Sequence, residues 1–240
     1  PAPRRCPDIV PQPPLCNGQL NLPPQPPAAP GLAQLASDLH SRWSRCRDLA
    51  ATLGLQPLAI EFLPSLTDAD LSLANLSARA RYRALNEQVQ RQRHGRPVRL
   101  DIDGPHGEQV HSEHRDVMLE AAATSFQVHL QLPAGRMVRA YNAALIASAP
   151  LVAACANAPL LFGRRLWAET RIPLFEQAIG LATREDGRGA PLARVGFGSG
   201  YAGWSLVEPF RENLERFEPI LPVALHEPAE RLPQDRKSVV

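Results

Sequence analysis

Hydrophobic residues recur every three or four positions in several stretches of this chain, which is the spacing that places them on one face of an α-helix. The clearest stretch runs from Leu32 to Leu53 and is followed by Gly54, a residue suited to ending a helix. A more polar stretch of the same kind covers Arg79 to Arg93. The pattern predicts further helices over 114–123, 134–156 and 205–217. Because the stretch 134–156 is mostly apolar, we expect that helix to be central and buried.

Other stretches are short and apolar, or they alternate, as β-strands do. Val98 to Ile102 predicts a short strand, Asp103-Gly104 predicts a turn, and residues 108–111 can pair back with the strand. The apolar stretch Pro57 to Leu63 predicts another strand, although Glu61 interrupts it.

Strict alternation over residues 124–133, TSFQVHLQLP, predicts a half-buried strand. Its polar face carries Gln127, His129 and Gln131, and its other face is apolar. The apolar face must pack on a core, whereas the polar face either meets water or lines a site.

The predicted strands and helices are interspersed without the regular spacing of parallel βαβ units. The sequence therefore predicts an α+β fold in which helices pack against an antiparallel sheet. Residues 1–30 hold 11 of the 25 prolines, so this segment cannot be helical and is expected to be an extended tail or linker. We predict three parts, which are the Pro-rich segment 1–30, a domain over 31–228 and a polar tail over 229–240. Since the chain starts without Met, we expect it to be a piece of a longer protein.

Composition argues against several classes of protein. A net charge of +2 gives no sign of a nucleic-acid-binding surface. No run of 18 apolar residues occurs, because Asn142, Ser148 and Pro150 interrupt the longest apolar segment, so no membrane span is expected. Cys46 and Cys155 fall on apolar helix faces and are expected to be buried. Without a secretory signal pattern, the expected location is the cytoplasm.

His129 is the first candidate for chemistry, because an imidazole on the polar face of a strand can bind a divalent cation or a phosphate. The flanking amides of Gln127 and Gln131 can hold a substrate carboxylate or an adenine edge without adding charge. The structural alternative is a histidine that is merely solvated.

Two further groups have ordinary structural explanations. His111 and His114 could bind zinc if they lay on a helix, or they could belong to a solvated loop with His106. Gly196-Phe-Gly-Ser-Gly200 has the glycines of a phosphate loop but lacks the following Lys-Ser/Thr, which favours a flexible loop.

Arginines follow the long apolar helix at positions 164, 165 and 171. Their guanidinium groups match the oxygens of a carboxylate or a phosphate. The alternative is a solvated loop in which they pair with Glu169 and Glu176.

The order of these segments resembles the glutamate–cysteine ligase type 2 family of carboxylate–amine ligases. Its most specific parts are TSFQVHLQLP at 124–133, ANAPLLFGR at 156–164 and WAETR at 167–171, and the similarity runs from about Gly18 to about Phe217. The resemblance implies a fold like the catalytic domain of glutamine synthetase, in which an antiparallel sheet curves around ATP and a divalent metal ion.

The resemblance also implies a reaction. ATP phosphorylates the γ-carboxylate of glutamate, and an amine, that of cysteine in the named activity, attacks the acyl phosphate. Mg²⁺ and arginines would neutralise the developing charge. The implied cofactors are ATP and Mg²⁺, and the implied partners are small molecules, with no nucleic acid and no membrane.

The resemblance assigns roles to individual residues. His129 is expected near the metal and the phosphates, and Gln127 and Gln131 are expected to line the same cavity. Arg171 is the expected catalytic clamp for a phosphate or a substrate carboxylate.

Arg164 and Asn157 match the same family segment as Arg171. Arg164 is expected to assist catalysis, and Asn157 is expected to bind substrate or nucleotide.

Two departures from the family pattern favour an alternative. No Glu-x-Glu pair precedes residue 60, and Gln19 stands where the family strand usually carries a glutamate that holds metal. Glu61 and Glu108 are further carboxylates that the sequence does not place. The alternative is a non-catalytic ligand-binding relative, or an inactive fragment, that has lost its metal-binding carboxylates.

Overall fold

The computed structural model describes residues 9–180 and 194–217. Within this part the chain forms six α-helices and three two-stranded antiparallel sheets. The helices are α1 (Ala29–Ala51), α2 (Ala80–Gln92), α3 (Met118–Ala121), α4 (Met137–Cys155), α5 (Arg171–Ala178) and α6 (Val207–Arg216). The strands are β1 (Ile9–Pro11), β2 (Gly18–Leu20), β3 (Val98–Asp103), β4 (Gln109–His114), β5 (Leu160–Leu161) and β6 (Arg164–Arg165). Short 3₁₀ helices cover Asp68–Asp70, Leu73–Asn75 and Ala134–Arg136.

The predicted α+β fold class is confirmed, and so are several of its elements. α1, α2 and α6 form where apolar spacing predicted helices. Gly54 ends the first helical segment in the left-handed region at φ 69°, and the Leu55 N–H reaches back to the Ala50 carbonyl at 2.9 Å. The division into segments 1–30, 31–228 and 229–240 stays a prediction.

The β3–β4 hairpin is the largest sheet of the described part, and it pairs Val98 with His114 and Asp103 with Gln109. Alternate residues of β3 point into the core, so Val98, Leu100 and Ile102 are buried while their neighbours are exposed. This hairpin confirms the predicted strand and turn. β4 continues to His114, so the helix predicted over 114–123 is reduced to α3.

One apolar cluster forms the core around this hairpin. Its buried members are Phe62, Leu71, Val98, Leu100, Ile102, Val110, Met118, Leu119, Ala122, Leu161, Leu166, Leu174 and Ala178.

α5 packs against β3 and α3. The Gln177 amide donates to the Asp101 carbonyl at 3.0 Å and accepts from the Asp101 N–H at 2.8 Å. A side chain of α5 therefore satisfies the open edge of β3, where a further strand would otherwise pair.

A tight hairpin, β5–β6, connects α4 to α5. Phe162 and Gly163 form its turn with φ values of 48° and 73°, the left-handed conformations of a two-residue hairpin loop. Phe162 is an unusual residue for this conformation. Its ring packs edge-on against Phe62, with centroids 5.9 Å apart, and stacks on His114 at 6.4 Å.

Two predicted strands are wrong. Residues 57–63 and 124–133 have no regular secondary structure. In the second segment Phe126 is 73% exposed and Val128 and Leu130 are each 67% exposed. The alternation is real, but among the described residues no strand pairs with this segment and no core covers its apolar face.

The prediction that the long apolar helix is buried is also wrong. No residue of α4 is buried by the part of the chain that the structure describes, and Cys155 is exposed whereas Cys46 is buried as expected. Ala134–Cys155 is also long and apolar enough to cross a membrane by length and composition. Core helices of soluble proteins meet the same test.

Leu100 is the test of this core, because its side chain is 0% exposed at the centre of β3. We expect Leu100→Ala to lower the free energy of unfolding by about 2–5 kcal/mol, since it removes buried methyl groups and leaves a cavity. The same truncation at the exposed Leu55 is the matched control and should cost less than about 0.5 kcal/mol. Urea denaturation of both variants measures the difference, and equal costs would contradict the core described here.

Candidate functional site

Arg171, the first residue of α5, lies between two carboxyl groups. Its Nε atom is 2.6 Å from Glu61 Oε2 and 2.9 Å from Glu169 Oε1. Glu61 comes from a segment 110 residues earlier in the chain, and Glu169 comes from the turn before α5. One guanidinium and two carboxyl groups therefore meet in one half-buried cluster, which we call the Arg171 cluster.

Backbone hydrogen bonds hold Glu61 in the Arg171 cluster although its segment is not a strand. The Thr124 N–H donates to the Glu61 carbonyl at 2.7 Å. The Thr124 hydroxyl donates to the Ile60 carbonyl, also at 2.7 Å. The start of the 124–133 segment therefore fixes the position of the Glu61 backbone.

Glu169 is fixed from the other side by the loop after α4. The Asn157 N–H donates to Glu169 Oε2 at 3.2 Å, and the Thr170 N–H donates to the Ala158 carbonyl at 3.0 Å. The Thr170 hydroxyl donates to the Trp167 carbonyl at 2.8 Å. These contacts join the family segments 156–164 and 167–171 into one structural unit.

The two carboxyl groups have opposite pKa shifts. Burial raises the pKa of Glu61, and its contact with the Glu169 carboxyl raises it further, while Arg171 opposes both effects. Burial would also raise the pKa of Glu169, but hydrogen bonds with Glu61, the Asn157 N–H and Arg171 lower it below its ordinary value. Two adjacent carboxyl groups that compete for one cation do not ionise independently.

The edge of the Arg171 guanidinium formed by Nη1 and Nη2 is not used by the described residues. Both hydrogen bonds of Arg171 are made through Nε, and no residue that the structure describes binds Nη1 or Nη2. The side chain is 28% exposed. A guanidinium with a free Nη1/Nη2 edge can bind two oxygens of one carboxylate or one phosphate.

Asn157 and Arg164, two other predicted site residues, differ in their relation to the Arg171 cluster. Asn157 contributes its backbone N–H to Glu169, while the residue itself is exposed. Arg164 is exposed in β6, where its backbone pairs with Leu161. The structure therefore brings the backbone of Asn157, but not the Arg164 guanidinium, to the Arg171 cluster.

Gln127, His129 and Gln131 lie along the exposed 124–133 segment. His129 Nε2 is 3.3 Å from Gln127 Oε1, so these two side chains do share one side of the segment. Among the described residues, no hydrogen bond or ion pair links any of the three to Arg171.

The two histidines considered for zinc lie on opposite sides of β4, because residues three apart on a strand face opposite ways. His111 is exposed, with Nδ1 2.9 Å from Asp101 Oδ1. His114 is buried, and its Nε2 contacts Ser112 Oγ at 2.8 Å and Asp68 Oδ1 at 3.2 Å. The zinc hypothesis for this pair is therefore wrong. Over residues 9–180 and 194–217, no three His, Cys, Asp or Glu side chains are grouped so that they could hold a metal.

The glycine-rich loop before α6 has its own partners. The Ser199 hydroxyl contacts Glu212 Oε2 at 3.1 Å, and Asn142 of α4 exchanges two hydrogen bonds of 2.9 Å with the Ala202 backbone. The N–H groups of Gly203, Trp204 and Ser205 donate to the Glu208 carboxylate. The amides at the start of α6 therefore already bind an anionic side chain of the chain itself.

Glu61 is the member of the Arg171 cluster whose role sequence reasoning did not assign. Its only signal was a charged residue inside the apolar stretch 57–63. A charge in an apolar stretch predicts a buried partner, but the sequence does not say which one.

Comparison with known proteins gives one match. The sequence model of glutamate–cysteine ligase family 2 (GCS2) matches residues 15–196. Neither the curated proteins nor the solved structures yield a match to this chain.

His114 gives a pH test of the packing beside the Arg171 cluster. Burial lowers the pKa of His114, although Asp68 and Asp116 oppose the shift. The folded state therefore binds this proton more weakly than the unfolded state, whose histidine titrates near pH ~6.5. The stability that this neutral histidine contributes is present above that pH and is lost as the pH falls through the lowered pKa.

We expect the free energy of unfolding of the wild type to fall relative to that of His114→Gln between about pH 7 and pH 5. Glutamine keeps a polar group for Ser112 but cannot take up a proton. Urea denaturation at several pH values measures the difference, with pH 8 as the baseline where the imidazole is neutral. Parallel pH profiles for the two proteins would show that His114 titrates alike in the folded and unfolded states.

Proposed function

Because the chain belongs to glutamate–cysteine ligase family 2, we propose that it is an ATP-dependent carboxylate–amine ligase that joins the γ-carboxyl group of glutamate to an amine. Cysteine is the amine in the family name, and another small amine would follow the same chemistry. We also propose that the protein is cytoplasmic.

The proposed reaction has two steps. A γ-carboxylate oxygen of glutamate attacks the terminal phosphorus of ATP, and the bond to the ADP oxygen breaks. The amine nitrogen then attacks the acyl carbon, the bond to the phosphate oxygen breaks, and the nitrogen loses a proton. Activation is needed because a carboxylate is a poor electrophile until one of its oxygens leaves as phosphate.

The Nη1/Nη2 edge of Arg171, which no described residue binds, is the observation that supports this proposal. Phosphoryl transfer depends mainly on positioning and charge neutralisation, and an arginine whose two NH₂ groups are unused by the described residues can do both for a phosphate or a carboxylate. The arginine lies in the WAETR stretch, inside the matched residues 15–196. Gln127, Gln131 and Asn157 as substrate-binding residues and Arg164 as a second catalytic arginine stay predictions of the family resemblance.

Mg²⁺ would enter the proposed reaction with ATP, and its chemistry is to neutralise the phosphate oxygens. The carboxyl groups of Glu61 and Glu169 are engaged with Arg171 and with each other, and the described residues contain no group of three metal-ligating side chains. These residues therefore do not fit a Mg²⁺ site. His129 as a metal ligand stays a prediction.

Gln19 supports the alternative of a non-catalytic ligand-binding relative. It lies in β2, and its amide is engaged by Gln12 and Asn21, each at 2.7 Å. An amide in place of a carboxylate is a weaker ligand for a hard cation.

Arg171→Ala tests the proposed role in catalysis. We expect kcat/KM for glutamate-dependent ADP release to fall by at least about 100-fold, because the variant loses a charged fork that neutralises the transferring group. Arg171→Lys should restore little, since an ammonium group lacks the planar fork. Arg99→Ala is the matched control, because Arg99 is exposed and its ion pair among the described residues is with Glu113 on the hairpin surface.

Thermal melts combined with the ADP-release assay separate the two candidate functions. MgATP and glutamate should raise the melting temperature of the wild type if they bind the native state. A raised melting temperature without ADP release would support the non-catalytic relative. No shift and no turnover would refute the ligase proposal, and near-normal activity of both Arg171→Ala and His129→Ala would refute the roles given to these residues.

A further inference from the structure

The two oxygens of Glu169 each face an N–H group. Oε1 accepts from Arg171 Nε at 2.9 Å, and Oε2 accepts from the Asn157 backbone at 3.2 Å. A side chain with two acceptor atoms can accept both hydrogen bonds at once, and an ionised carboxylate is such a side chain.

Glu61 has different requirements. Its Oε2 accepts from Arg171 Nε at 2.6 Å, the same atom that Glu169 Oε1 binds at 2.9 Å, so the two carboxyl groups lie side by side. Two ionised carboxylates in contact have no proton between them and repel each other. A proton on Glu61 turns the same contact into a hydrogen bond from Glu61 to Glu169.

We propose that Glu61 is a neutral carboxylic acid that donates a hydrogen bond to the Glu169 carboxylate, and that the two act as positioning residues for Arg171. Together they hold the Nε side of the guanidinium and leave the Nη1/Nη2 edge for a carboxylate or phosphate of the substrate. The identity of that anion rests on the proposed function, whereas the proton assignment rests on the geometry of the cluster.

The proton also sets the charge of the Arg171 cluster. With Glu61 neutral, the positive charge of Arg171 and the negative charge of Glu169 cancel. With both carboxyl groups ionised, the cluster would carry one net negative charge and would repel an anionic substrate. Arg171 and Glu169 are the charged groups that act on Glu61 in the described part of the chain.

The test compares isosteric variants of the two glutamates in the full chain. Glu61→Gln keeps an acceptor for Arg171 Nε and a donor for Glu169, so it reproduces the neutral acid. Glu169→Gln places an amide N–H₂ against either Arg171 Nε or the Asn157 N–H, so in either orientation two N–H donors face each other. Glu61→Ala removes both functions, and Glu113→Gln on the hairpin surface is the matched control.

Thermal melts without ligand give the first readout. We expect Glu169→Gln to lower the melting temperature by at least about 3 °C, because it sets two N–H donors against each other in a half-buried cluster. Glu61→Gln should melt within about 1 °C of the wild type, and Glu61→Ala should melt clearly lower than Glu61→Gln. Equal losses in the two glutamine variants, or a larger loss in Glu61→Gln, would overturn the proton assignment.

The pH dependence of these melts gives a second readout that packing alone does not produce. Burial and the Glu169 contact raise the pKa of Glu61 in the folded state. The stability linked to this proton is therefore present below the ordinary glutamate pKa of about 4.3 and is lost as the pH rises through the raised value. Glu61→Gln lacks this loss, so its melting temperature should gain on that of the wild type as the pH rises. Parallel profiles would overturn the assignment.

Substrate kinetics separate this inference from the proposed function. In an active ligase, Glu169→Gln should raise KM for glutamate or for MgATP by at least about tenfold, and Glu61→Gln should retain most of the affinity that Glu61→Ala loses. Asymmetric melts in a protein without ligase activity would refute the ligase and leave the proton assignment standing. Normal ligation with symmetric effects of the two variants would refute only the assignment.

Discussion

The ionic contact of Arg171 with Glu61 and Glu169 is the constraint on which the candidate site depends. It joins the irregular segment 57–63, the turn before α5 and α5 itself, and each of these also touches the apolar core. Removing one partner from a half-buried ionic cluster leaves the others without compensation, which costs far more than losing an exposed pair. The cluster therefore explains how a chain segment without strand hydrogen bonds keeps a fixed position beside α5.

Local patterns predicted the elements that depend on local contacts. α1 and α2 follow from apolar spacing, and the β3–β4 hairpin follows from a short apolar strand with Asp103-Gly104 after it. The burial of Val98, Leu100 and Ile102 agrees with a period of two, because one face of the hairpin meets the core. In these cases the residues that decide the structure lie within a few positions of each other.

The failures concern elements that need a distant partner. Alternation over 124–133 says which side chains share a face, but a strand forms only when another strand supplies hydrogen bonds. α4 shows the same limit, since an apolar helix is buried only if other elements cover it. Phe126, Val128 and α4 leave apolar surface uncovered in the described part of the chain.

In the candidate site, too, the sequence predicted the contact between neighbouring residues but not the contact with a distant one. Arg171 and Glu169 are neighbours in the WAETR stretch, so their pairing was one of two explanations that the sequence offered. Glu61 lies 110 residues from Arg171, and no local pattern connects them.

The two explanations of Arg171, an ion-paired residue or a substrate clamp, are compatible because a guanidinium has more donors than one carboxylate uses. The Nε side is held within the fold, and no described residue binds the Nη1/Nη2 edge. An arginine that is already oriented loses little side-chain entropy when an anion binds, so its full geometric preference for a planar oxyanion can contribute to affinity. Under the proposed function, the internal ion pair would therefore prepare the arginine for binding rather than compete with it, as long as one of the two carboxyl groups stays neutral.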